Sequence, residues 1–188
     1  MHSELDATAP GADCATVVLG LGNLLRRDEG LGIRALTRLQ QQYSLPASVQ
    51  VVDGGTLGLE LLSYLEGARR VLVLDAALTD GSPGTIICLH GDEVPAFFGM
   101  RSSPHEIGLP DLLAVARLRG AAPTEITLIG MQPGVIELGW ELSAVVADHL
   151  DALVETTIKE LVRWGVQVTP KTPDQPALES VELEAHDA

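Results

Sequence analysis

Aromatic residues make up only 3% of the chain, so any core must be built mainly from Leu, Val, Ile and Ala. Such a core suits a sheet covered by helices better than an aromatic-rich sandwich. Basic residues are also scarce: 12 Lys and Arg stand against 26 Asp and Glu, a formal net charge of −14. Phosphate contacts need cations, so this balance excludes a nucleic-acid partner. The two cysteines, Cys14 and Cys88, form no CxxC or zinc-finger spacing. A disulfide framework is therefore not expected, and a reducing cytoplasm fits. No apolar run approaches the roughly 20 residues that span a bilayer. The opening MHSELDATAP lacks the basic start and apolar stretch of a secretion signal, so no membrane partner is expected either.

What is present is a chain of 188 residues, 46% apolar, enough for one domain with a real core. The expected domain covers residues 15–168. A flexible extension (residues 1–14) precedes it and a flexible acidic tail (residues 169–188) follows it. Much of the acidity sits on those ends, at Glu4, Asp6 and Asp13 and at Asp174, Glu179, Glu182, Glu184 and Asp187. It reads as a solubilising surface.

Between the ends, strands and helices alternate. Thr16–Gly20 is an apolar run stopped by glycine, and Asp28 is placed to N-cap a helix reaching about Tyr43. Val49–Val52 and Arg70–Leu74 read as further strands, with a short helix over Leu57–Leu65 between them. Thr85–Leu89 follows Asp75, at the end of the third strand, after only nine residues, too few for a crossover helix, and is expected to run antiparallel to that strand. Gly91–Gly108 reads as a loop, Leu109–Arg119 as a helix and Glu125–Gly130 as a strand. A final helix covers about Leu142–Trp164, with Leu142, Val146, Leu150, Val154, Ile158 and Leu161 as its core-facing stripe. Trp140 and Trp164 flank it and are expected to pack. The fold class is α/β: a three-layer α/β/α sandwich whose mostly parallel sheet carries one reversed strand.

Ligands of open α/β sheets collect at the carboxyl ends of the parallel strands. Three strands deliver acids there: Asp28 and Glu29 follow the first, Asp53-Gly54-Gly55-Thr56 ends the second, and Asp75 closes the third. Gly20-x-Gly22 invites a dinucleotide reading, but the third glycine of GxGxxG is replaced by Leu25, and the acids at the helix start would repel phosphate. Among the histidines, His105 stands out in the polar loop Ser102–Glu106. Two carboxylates and an imidazole suit Ni(II), Zn(II) or similar ions with positions left open. No local spacing ties positions 29, 75 and 105 together, so the fold must do so. No Ser-His-Asp or Cys-His nucleophile is evident.

The blocks Val18–Leu25 with Asp28–Gly32, Asp53–Leu62, Val73–Ala76 with Pro83–Thr85, Ser103–Leu109 and Gln132-Pro133 occur in an order that resembles the maturation proteases of nickel–iron hydrogenases. The likeness runs from about residue 15 to about 165. It implies a five-stranded mixed sheet between helices. It also implies an endopeptidase that removes the C-terminal extension of a hydrogenase large-subunit precursor after nickel insertion. By motif, the metal-contacting and catalytic residues would be Glu29, Asp75 and His105, with Asp53 a further catalytic candidate. Asp53, Gly54, Gly55 and Thr56 would meet the substrate. The nickel would be the one held by the precursor, other divalent metals being able to substitute, and the protease itself is expected to be a monomer. Glu29 stands where many relatives carry Asp, which lengthens the reach and keeps the charge. A chaperone that binds the same precursor without cutting it is the rival reading.

Overall fold

The computed structural model describes residues 16–55, 58–99 and 108–171. In chain order these form strand β1 (Thr16–Leu21), a 3-10 turn (Arg27–Gly30), helix α1 (Leu31–Gln42), and strands β2 (Tyr43–Ser44) and β3 (Val49–Gly55). A second 3-10 turn (Leu59–Leu61) leads into the single-turn helix α2 (Leu62–Leu65). Then come strands β4 (Arg70–Ala76) and β5 (Ile86–His90) and helices α3 (Glu93–Gly99) and α4 (Leu109–Leu118). Strand β6 (Glu125–Met131), helix α5 (Ala144–Arg163) and strand β7 (Thr169–Pro170) complete the chain.

The main sheet has the order β3-β1-β4-β6-β5, with β2 and β7 forming a separate two-stranded ladder. Strands β3, β1, β4 and β6 pair in parallel, whereas β5 pairs antiparallel to β6. The five-stranded mixed sheet is therefore as expected, and β5 runs opposite to β4 as expected, though it is not bonded to it. The third strand, β4, is bonded to β1 and β6, and β5 lies one place further out. The short connection fixes the direction of β5 and leaves room for β6 to insert between the two.

Strand residues alternate between the two faces as the period of two requires. Val18, Leu72, Leu74, Ile129 and Met131 pack under α1 and α5, against Leu31, Leu36, Leu39, Val146, Leu150 and Val154. Val17, Leu19, Val71, Val73 and Leu128 face the other way, toward Leu61, Leu65, Leu109, Leu112 and Leu113. Two glycine contacts let α1 lie close on its face. A Cβ on Gly32 would stand 2.2 Å from the Leu74 carbonyl oxygen and 2.4 Å from that of Leu21.

Other expectations need correction. Residues 93–99 are helical rather than looped. The last helix begins at Ala144, and Leu142 packs on the core from outside it. Trp164 is buried as expected, but Trp140 is 60% exposed. Asp28 does not N-cap α1; that position is held by Gly30, without a side-chain bond.

Candidate active site

The order of the sheet creates a crevice. Strand β1 is flanked by β3 and β4, its following helix α1 covers one face, and α2 and α4 cover the other. The chain leaves β1 for α1 on one face and the neighbouring β3 for α2 on the other, the kind of switch point where open α/β sheets bind ligands. A cleft of about 1130 Å³ opens here, lined by Gly22, Asn23, Glu29, Gly55 and Asp75 among others.

Glycine geometry sets the position of Glu29. Gly22 has φ +125°, and a Cβ there would stand 1.9 Å from the Glu29 carbonyl oxygen. Gly22 N–H also donates to the Gly55 carbonyl at 3.0 Å, tying the turn after β1 to the turn after β3. In that second turn Asp53 Oδ1 accepts from Gly55 N–H at 3.0 Å, and Gly55 takes φ +45°. Gly54 packs inward toward Leu19 and Leu21, so Gly55 is the residue of the pair that lines the cleft. Asp53 shapes its own turn.

Asp28 is the feature that sequence reasoning missed. It is fully buried and accepts from Gly134 N–H at 2.9 Å, Val135 N–H at 2.8 Å, Ser143 N–H at 2.7 Å and the Ser143 hydroxyl at 2.7 Å. Burial pushes its carboxyl up, but the Ser143 hydroxyl and the three amides outweigh that and hold it below the ordinary carboxylate value. Asp28 thus clamps the 134–143 loop beside the cleft. Arg27, at φ +50°, adds bonds to the Glu141 carbonyl at 3.1 Å and Glu137 Oε1 at 2.8 Å. The only sequence signal was an acid in a glycine-rich turn, which suits an N-cap equally well.

Glu29 and Asp75 do come together in the cleft. Burial pushes the Asp75 carboxyl up to about 7, and the Glu29 charge adds to the rise, against a hydrogen bond from Ala76 N–H at 2.7 Å that lowers it. One Glu29 oxygen, Oε2, lies 2.7 Å from an Arg26 guanidinium nitrogen, yet it is buried and receives no hydrogen bond. The two observations agree if the contact is an ion pair out of line for donation, worth little because Arg26 is half-exposed. The orphaned oxygen and a neighbouring carboxyl reluctant to ionise suit an arriving cation. Among the described residues no three His, Cys, Asp or Glu side chains gather in a metal-holding group. His105 and Thr56 lie outside the described residues.

An α/β fold with carboxylates at its switch point defines the class. The particular family follows from comparison with known proteins. The family model for hydrogenase maturation proteases matches residues 33–160. The hydrogenase expression/formation protein HupD of Rhodobacter capsulatus is 43% identical over 155 residues, spanning 81% of this chain and 74% of that protein. The hydrogenase 2 maturation protease of Escherichia coli is 36% identical over 156 residues, 82% of this chain and 95% of the relative. The solved structure of the maturating endopeptidase HybD from E. coli superposes with a TM-score of 0.79 at 36% identity, covering 83% of this chain and 97% of that one. The chain belongs to the hydrogenase maturation protease family and is an endopeptidase.

Proposed function

We propose that this endopeptidase removes the C-terminal extension of a nickel–iron hydrogenase large-subunit precursor, and does so only once nickel is in place. Glu29, Asp75 and His105 would complete the coordination of a nickel ion already held by the precursor's thiolates. The ion is thus part of the substrate, and other divalent metals can stand in for it. The carrying observation is the pairing of Glu29 and Asp75 in one open cleft, with a Glu29 oxygen left without a donor. Two carboxylates and an imidazole are donors a nickel(II) ion accepts.

Anchoring the metal fixes the scissile bond nearby, which supplies proximity without a protein nucleophile. Asp75 and Asp53 are the two carboxylates that could take a proton from the attacking water. Asp53 is a weaker candidate for that role, because Asp75 lines the cleft and Asp53 is not among its lining residues. Asp53, Gly54, Gly55 and Thr56 would meet the substrate. The setting is the cytoplasm, where thiolates stay reduced. Among the described residues, no helix is long and apolar enough to cross a membrane.

The test is electrophoretic mobility of nickel-loaded and nickel-free precursor after incubation with the protein. Shortening of the loaded form alone, lost in Glu29→Gln, Asp75→Asn and His105→Ala, is the expected result. Binding with no change in size would favour the chaperone reading instead. Equal cleavage of both forms would remove nickel recognition while leaving the protease.

A further inference from the structure

Beside the cleft runs a second groove of about 570 Å³, between α1 and the loop that Asp28 clamps, lined by Leu24, Arg34, Arg38, Trp140, Leu142 and others. Three observations give it a chemistry. Trp140 is 60% exposed on a loop held by Asp28 and Arg27, so a large apolar surface is displayed from a rigid mount. Rigid, exposed aromatics are costly in water and are what interface anchors are made of. Arg34 stacks on that ring, 5.8 Å from its centroid, and donates to the Trp140 carbonyl through one terminal nitrogen.

Arg34 also carries an unmet need. Its Nε is buried without a hydrogen-bond partner, and among the described residues no carboxylate pairs with its guanidinium. By contrast Arg26, Arg27 and Arg38 are each matched, to Glu29, Glu137 and Asp151. Among the described residues most arginines lie against an acid, and of Arg34 and Arg69, which do not, only Arg34 lines a groove. An unpaired guanidinium beside an apolar ring asks for a carboxylate flanked by apolar side chains.

The groove and the cleft flank the same turn after β1. Asn23 lines the cleft and Leu24, the next residue, lines the groove. A polypeptide engaged in the cleft can therefore cross that turn to reach the groove. We propose that the Arg34–Trp140 groove is a docking site for a segment of the precursor that presents a carboxylate between apolar side chains, away from the bond that is cut. This rests on the reading of the chain as a precursor-processing endopeptidase. Docking there sets selectivity among precursors without touching the reacting atoms.

The experiment compares Trp140→Ala and Arg34→Gln with the unaltered protein on nickel-loaded precursor. KM and kcat come from initial rates, and Kd comes from calorimetry in a Glu29→Gln background that prevents turnover. Each variant is expected to raise KM and Kd roughly tenfold while kcat stays within about twofold. Leu118→Ala, which removes an 89% exposed leucine outside the groove, should change neither. Circular dichroism checks that the variants fold, as the exposure of Trp140 leads one to expect. Unchanged KM and Kd in both folded variants would overturn the docking site. If the unaltered protein binds precursor without cutting it and the variants lose binding, the proposed function fails and the docking site stands. If it neither binds nor cuts, both fail.

Discussion

Asp28 accepts four hydrogen bonds while its neighbour Glu29 keeps an oxygen with no donor, so adjacent acids in one turn serve opposite ends. The first spends its charge on the fold, and the second, facing only the half-exposed Arg26, lines the cleft. Asp28→Ala would leave buried amides of the 134–143 loop without an acceptor, at a cost of about 3 kcal/mol in urea unfolding. Asp28→Asn keeps the shape and tests the charge. The folded Asp28 carboxyl sits below its ordinary value, so the unfolded chain binds its proton first as the pH falls. The charge therefore stabilises fully above the unfolded value, and that contribution is lost as the pH drops through the folded one. Unfolding of the two proteins should differ most at neutral pH, the gap narrowing below about pH 4. A gap of equal size at both pH values would show that shape alone matters.

Among the elements, the turn after β1 does the positioning, and glycine is what allows it. Gly22→Ala would put a Cβ 1.9 Å from the Glu29 carbonyl oxygen in a backbone conformation that L residues rarely adopt. The turn must open, and Glu29 moves with it. A displacement near 1 Å costs about a hundredfold in rate, so precursor cleavage should fall by that order while circular dichroism still reports a folded α/β protein. The strands and helices that carry this turn were legible because their apolar runs and helical stripe are strong local patterns, as in Val17–Leu19 or Val146-Leu150-Val154. Helix α3 was not, because Glu93–Gly99 is short, holds Pro95 and ends in glycine, which locally reads as loop. The neighbour of β5 and the role of Asp28 were hidden for another reason. Both depend on partners distant in the chain: β6 reaches its place only when the sheet assembles, and Ser143 lies 115 residues from Asp28. Glu29 and Asp75 could be placed together because strand ends in a parallel sheet share an edge.

For the molecule as a whole, the cleft is a cost to folding. Burial, together with the Glu29 charge, raises the Asp75 carboxyl to about 7 in the folded state, well above where it titrates in an unfolded chain. Between those two values the folded protein binds more protons than the unfolded one, so stability declines as the pH rises through that range. The direction is opposite to that of Asp28, which makes the two contributions separable in one stability-versus-pH curve. Asp75→Asn preserves an oxygen for the Ala76 amide and removes the buried charge. It should therefore raise Tm at pH 8 by roughly 3 °C or more, leave it nearly unchanged at pH 4, and abolish precursor cleavage. A functional carboxylate held at the expense of the fold predicts that combination of greater stability and lost activity. Scanning calorimetry at the two pH values decides it: a variant less stable than the unaltered protein at pH 8 would mean that Asp75 serves the fold rather than the chemistry.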